Sequence, residues 1–357
     1  MVPPDLTIVM SLMLFLAGLA LAAYTIASAV RTFILPRGDN VWLTRQIFRW
    51  VVRVFRWRAM RSPTYAGRDR VMALYAPVTL LVMPVVWLLL IGIGFALMFR
   101  ATGVDSWYAA FKVSGSSLFT LGFFTIDTVQ ATVLEFAEAT IGLGLIALLI
   151  SYLPTMYAAF SRRETLVTLL EVRADTPPSA VTLIIRAHSI RGLDYLTDLW
   201  REWEVWFAEV EESHTSLAAL NFFRSPQPDR SWITAAGAVL DAASLMASAV
   251  EVPRTPEAQL CIRAGYVCLR HIADFFRIPY DPDPHFPDPI SISRQEFEEA
   301  CDRLAASGVP IVANRDQAWQ DFAGWRVNYD AVLVTLAGIL MAPYAPWSSD
   351  RGLPRAG

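Results

Sequence analysis

A chain of 357 residues that is 55% hydrophobic and 18% charged is too apolar for an ordinary soluble protein and too charged to lie wholly in a bilayer. The composition calls for a membrane part and a part outside it. The formal net charge of −3 conceals an uneven distribution, with arginine gathered around the apolar runs. Three cysteines, Cys261, Cys268 and Cys301, all in the second half, exclude a disulfide framework and fit a reducing, cytoplasmic setting there.

Three runs are long enough to span. Leu6 to Val30 and Val71 to Phe99 carry no charge, and Ala139 to Ser161 follows Glu135 and Glu138. Each exceeds the ~20 apolar residues that a bilayer core demands. The leader "MVPPD" has no positive charge, so the first run reads as a retained helix rather than a signal peptide. Ten arginines lie between Arg31 and Arg70 against only Asp39 and Asp69, and Arg162 and Arg163 follow the third run. The positive-inside rule then puts both stretches in the cytoplasm. The expectation is a multi-pass protein of the cell (inner) membrane, its N-terminus and the 100–138 connection outside.

The stretch "VWLTRQIFRWVVRVFRWRAMR" is helical by period. Leu43, Ile47, Trp50, Val51 and Val54 share one face; Arg45, Arg49, Arg53 and Arg56 share another. That pattern suits a helix lying in the membrane interface and attracted to anionic lipid. A topology anchor fits it as well. A voltage sensor does not, because the preceding run offers no buried acid to pair with the arginines. A patch wedged against membrane argues against nucleic-acid binding.

After the second run comes "VDSWYAAFKVSGSSLF". Asp105 or Ser106 caps a helix of about 13 residues that ends at Phe119. Such a helix is too short to cross but suits a re-entrant half-helix whose C-terminal dipole end favours a cation. The chain then returns as "TLGFFTID". Non-helical backbone at membrane depth is tolerated only where protein buries it or a water-filled cavity is lined by it. The plainer alternative is a polar hairpin between two helices. Lys112 reads as snorkelling outward or pairing with Glu135 or Glu138.

"SLFTLGFFTID" resembles the pore loop of the potassium-channel superfamily, in which Thr-x-Gly-Tyr/Phe-Gly follows a short pore helix. Thr120, Leu121, Gly122 and Phe123 match the first four positions, and the resemblance covers roughly 71–161. It implies a filter of backbone carbonyls, potassium as the permeant ion, and a homotetramer, since one loop cannot enclose an axis. Phe124 departs from the pattern, standing where the family has its second glycine, so the resemblance implies inner ion sites built by Thr120 to Gly122 and a distorted outermost one. Asp127, Glu135 and Glu138 would supply a cation-attracting outer mouth. Gly142, Gly144 and Pro154 match gating hinges of such inner helices, although glycine and proline are common in any membrane helix. Ser151, Tyr152 and Thr155 are candidates to line the inner half of a pore.

From about Glu164 onward the pattern is helical throughout. Leu193, Leu196, Trp200, Trp203 and Phe207 form an apolar stripe, and Ser231, a threonine before Pro256, and Ser293 stand as caps. "NYDAVLVTLAGILMAP" reads as a buried core helix, and "RSPQPDR" and "PYDPDPHFPDP" as loops. No Gly-rich nucleotide-binding turn is present. Cys261, Cys268 and His271, with His285 as a fourth ligand, do not have a recognised zinc spacing, and buried structural cysteines are the better reading. The run Glu211, Glu212, Ser213, His214 points only weakly to acid–base chemistry. Asp281, Asp283 and Asp288 alternate with prolines as in a stiff linker, not a calcium loop.

The sequence thus predicts an all-α membrane protein. Residues 1–35 form a transmembrane helix, 36–70 a basic interfacial helix, 71–163 a pore module with re-entrant helix and filter loop, and 164–357 a cytoplasmic helical domain. The expected activity is passive monovalent-cation conduction without cofactor or catalysis. The rivals are a non-conducting scaffold or receptor, with Phe124 in its favour, and a membrane-tethered enzyme, which lacks a convincing nucleophile–base or metal set.

Overall fold

The computed structural model describes residues 4–33, 41–253 and 255–351. Arg37 and Asp39 of the basic stretch, and the first residues of the leader, lie outside them. Among the described residues the chain is helical, and the extended pairing is an isolated bridge between Val250 and Ile311. Three helical stretches are long and apolar enough to cross a membrane: Ile8–Phe33, Tyr65–Ala101 and Val129–Ala174.

The chain divides into two compact units, and the division does not follow chain order. The first comprises Met1–Trp57 and Leu74–Tyr157; the second comprises Arg58–Ala73 and Ala158–Gly357. The stretch 58–73, which by charge belongs with the basic helix before it, therefore clusters with the C-terminal half.

In the first unit, α1 (Pro4–Phe33) packs along α4 (Tyr75–Ala101). The approach is close because both helices present glycine: a Cβ on Gly18 would stand 2.3 Å from the Gly94 carbonyl oxygen. Small residues at such crossings are the usual way for apolar helices to pack where lipid removes the hydrophobic drive. At the other end of α1, Phe33 meets the rings of Trp87 and Tyr152 at 5.1 and 4.3 Å. Tyr152 is thus packed on α1, whereas Ser151 and Thr155 are exposed.

The basic helix α2 (Trp42–Ala59) packs on α4 through its phenylalanines. Phe48 and Phe55 contact the Tyr75 ring, and the Tyr75 hydroxyl donates to the Phe48 carbonyl at 3.3 Å. Ile47 is buried, but Trp50 and Val54 share the exposed side with Arg49, Arg53 and Arg56; Arg45 is half-buried.

The second unit takes in α3 (Tyr65–Ala73), the end of α6 (Val129–Ala174), and α7 to α13 (Ala180–Ile190, Leu196–Ser216, Trp232–Ser248, Pro256–Phe276, Arg294–Ala306, Arg315–Arg326 and Asp330–Ile339). The central helix is α9, buried on every side except at Ala247. A helix apolar all round is one that is covered all round. Trp200, Trp203, Trp206 and Phe207 of α8 are buried, and Trp203 and Trp206 lie 4.5 Å apart. The aromatic stripe is core. Ser293 makes a full capping box with Glu296, but Ser231 holds an N-cap backbone without a side-chain bond.

Two arginines organise this unit. Arg163, near the end of α6, is buried; it donates to the carbonyls of Leu220 and Phe223 at 2.9 and 2.8 Å and contacts His214 Nε2 at 3.0 Å. Arg162 beside it stays exposed. Arg326, also buried, pairs with Asp241 and with Asp330, and Tyr329 donates to Asp241 at 2.9 Å. The lone aspartate of α9 is thereby neutralised.

A loop of unclaimed carbonyls as the candidate functional site

Between α4 and α6 the chain forms one short helix, α5 (Trp107–Leu118), and a loop. Of the two candidate caps, Ser106 does the work: its extended backbone lets its hydroxyl accept from the Ala109 N–H at 3.1 Å. The helix buries Ala110, Val113, Ser114, Ser117 and Leu118. The Ser114 hydroxyl lies 3.0 Å from the Gly92 carbonyl and 2.6 Å from Glu138 Oε1. At ~1.5 Å per residue, Gly92 is roughly 14 Å along α4 from its end at Ala101. The far end of α5 reaches further. A Cβ on Gly142 would stand 2.1 Å from the Leu118 carbonyl oxygen, and Gly142 is roughly 20 Å along α6 from Val129.

Helix α5 stops one residue earlier than its sequence suggests, and it stops in a defined way. Phe119 is the C-cap, and Thr120 takes a left-handed conformation at φ 53°. The Thr120 N–H donates to the Ser117 carbonyl at 2.9 Å and the Leu121 N–H to the Ser116 carbonyl at 2.8 Å. This pair of bonds is the Schellman arrangement, which ordinarily uses glycine at the left-handed position. A β-branched residue there is strained by about 1–2 kcal/mol. Gly122 follows at φ 67°, where glycine adopts the conformation freely.

Four of the loop's donors are turned into the protein. Besides Thr120 and Leu121, the Phe124 N–H donates to Ser116 Oγ at 3.1 Å and the Ile126 N–H to Glu135 Oε1 at 3.0 Å. Its acceptors are not. The carbonyls of Thr120, Leu121, Gly122 and Phe123 take no hydrogen bond within the described residues, and all four residues are exposed. Exposed in this way, they are open to water or to a ligand. Four consecutive ones make a row of partial negative charge.

Glu135 and Glu138 are buried, and they hold the loop and the short helix instead of facing outward; Asp127 is exposed. Lys112 neither reaches a carboxylate nor points freely away: its ammonium lies 4.5 Å from the centre of the Phe124 ring and 5.5 Å from that of Tyr108. Gly142 serves close contact with Leu118, nothing lies within 4 Å of a Cβ on Gly144, and Pro154 sits inside a continuous α6. Sequence reasoning passed over Ser114 and Ser116. Their signal was present in "SGSS", serines too numerous for one face of a short apolar helix unless their hydroxyls have buried partners.

The C-terminal half gathers no comparable set. Cys261 and Cys268 are buried, and burial pushes both thiols upward; burial also raises Cys301 to about 11. His271 faces away from them onto Glu211 at 2.7 Å, and His285 is exposed. The run Glu211 to His214 is likewise split, since His214 is buried against Arg163. No group of three or more metal-ligating side chains exists among the described residues, the aspartates of 281–288 included.

No protein-family model matches the chain, and no curated protein or solved structure is similar to it.

Proposed function

We propose that this chain is one subunit of a membrane pore that passes monovalent cations, potassium above all, along the carbonyls of Thr120 to Phe123. One observation carries the reading: the N–H groups of Thr120, Leu121, Phe124 and Ile126 are held inward by Ser116, Ser117 and Glu135, while the successive carbonyls from Thr120 to Phe123 take no hydrogen bond among the described residues. Carbonyl oxygens in that state can replace the water shell of a cation. Depth supports the same reading. The contacts Ser114–Gly92 and Leu118–Gly142, many residues from the near ends of α4 and α6, are consistent with a re-entrant α5 if those two helices span.

One loop encloses nothing, so the pore is a homo-oligomer, and four copies match the filter pattern that the loop resembles. The second unit is the cytoplasmic domain, the N-terminus is outside, and the Trp–Arg side of α2 lies on anionic lipid headgroups. The activity asks for no covalent chemistry and no cofactor; potassium is the passenger.

The test is flux from proteoliposomes of the full chain, with potassium and sodium in turn and a Thr120→Ala, Gly122→Ala double variant alongside. Passage that the double variant abolishes is the expected result. A folded oligomer that passes neither ion at any voltage overturns the pore and leaves a scaffold whose second unit binds a partner.

A further inference from the structure

We propose that Lys112 is a specificity-determining residue of this pore, a resident positive charge that keeps divalent cations out. The inference rests on the reading of Thr120 to Phe123 as the ion path.

An ammonium on a membrane-buried helix is costly, and it usually marks function or finds an acid. Lys112 makes no ion pair among the described residues. The nearest acids in sequence on α6 are otherwise engaged, Glu138 with Ser114 and Glu135 with the Ile126 N–H. Asp127 is exposed and makes no ion pair with it. What Lys112 has instead is a seat of two aromatic faces, Phe124 at 4.5 Å and Tyr108 one turn earlier at 5.5 Å. Such faces hold a cation without neutralising it.

The position of that seat is the point. Phe124 follows the Thr120–Phe123 carbonyls directly, its own carbonyl takes no hydrogen bond among the described residues either, and Ser116 pins its N–H. The ammonium is therefore seated on a residue of the carbonyl row itself. Phe124, which stands where the filter pattern has glycine, is what an aromatic seat requires there. A fixed charge repels a passing ion in proportion to that ion's charge, so a divalent cation meets twice the opposition that a monovalent one does. The carbonyl row attracts both, and the lysine decides between them.

The experiment compares wild type, Lys112→Met, Lys112→Arg and Phe124→Leu in the same proteoliposomes, reading potassium efflux and calcium uptake. In Lys112→Met the calcium-to-potassium ratio rises about tenfold. Lys112→Arg, which keeps the charge and stacks on the same rings, stays at the wild-type ratio. Phe124→Leu keeps the charge but removes its seat, and its ratio rises by less. A Lys112→Met pore with undiminished potassium flux and an unchanged ratio overturns the proposal. Should that variant not fold, an unchanged ratio in Phe124→Leu overturns it equally. A wild type that passes neither ion instead overturns the pore itself, a result that no Lys112 variant could produce alone.

Discussion

Asp69 and Arg224 meet at 2.5 Å with both side chains nearly covered, although they lie far apart in the chain. Arg224 also donates to the Leu340 carbonyl at 2.7 Å and reaches the Tyr65 hydroxyl at 3.3 Å. The short helix α3 is thereby fastened to the second unit just before the chain enters α4. Arg163 fastens the end of α6 within the same unit. Both chain connections that flank the α4–loop–α6 segment are thus held by one body. Removing one partner of a covered pair strands the other, at about 3 kcal/mol or somewhat less where water has partial access. Arg224→Met is expected to lower the unfolding temperature of the second unit and to expose 58–73 to protease before the rest unfolds. In the flux assay it changes how much potassium passes but not the potassium-to-sodium ratio. A melting curve and cleavage pattern identical to wild type would sink this account.

Gly142 and Gly144 look equivalent in the sequence and are opposites in the structure. A methyl group on Gly142 collides with the Leu118 carbonyl, whereas one on Gly144 meets nothing. Gly142→Ala must push the end of α5 away from α6, and overpacking of this kind costs typically 1–3 kcal/mol. It is expected to abolish flux and to weaken the oligomer on size-exclusion chromatography. Gly144→Ala, which exchanges glycine for the best helix former, is expected to leave assembly intact and to stabilise α6 by up to about 1 kcal/mol. If the two variants behave alike, Gly142 is not a packing glycine.

This pair also marks where sequence reasoning ends. The three apolar runs, the Ser106 cap, the aromatic core stripe and the short helix before Thr120 were legible, because periodicity and capping are local properties. Which face a helix turns inward is not local. The contacts of Phe48 and Phe55 with the Tyr75 ring depend on a residue outside α2 that its own period does not name. Glu135 and Glu138 read as a solvent-facing mouth because acids usually face water. Their partners, the Ile126 N–H and the Ser114 hydroxyl, become visible only once the loop folds back on α6. The grouping of 58–73 with the C-terminal half involves the bonds of Asp69 to Arg224 and of Tyr65 to the Met341 carbonyl, partners remote in the chain that local sequence does not name.

His214 gives the second unit a pH limit. Burial first, and the Arg163 charge second, hold its imidazole well below the usual histidine range. The folded protein keeps the ring neutral where the unfolded chain, titrating near 6.5, takes up a proton. Stability is therefore unaffected by this group above about pH 6.5 and falls below it by about 1.4 kcal/mol per pH unit. Denaturant titrations at pH 7.5, 6.5 and 5.5 should show this slope in wild type and a flatter one in His214→Gln. Parallel slopes would mean that another group carries the acid sensitivity.

Asp241 and Arg326 test whether the core of the second unit tolerates a stranded charge. Both side chains are essentially inaccessible to water, and Asp241 also accepts from the Tyr329 hydroxyl. Asp241→Ala leaves the guanidinium with Asp330 and the Trp347 carbonyl only. Breaking a buried pair in this way costs about 3–5 kcal/mol, against a total stability of about 5–15 for a typical domain. The single variant is expected to lose most of its cooperative melting transition. An Asp241→Leu, Arg326→Met double variant removes both charges and fills the space with apolar atoms, and should recover much of the loss. Because α9 is the central helix, recovery would show that the pair neutralises rather than builds the core. A double variant as unstable as the single one would show that the ion pair itself, with its bonds to Tyr329, Asp330 and Trp347, fixes how α9, α12 and α13 meet.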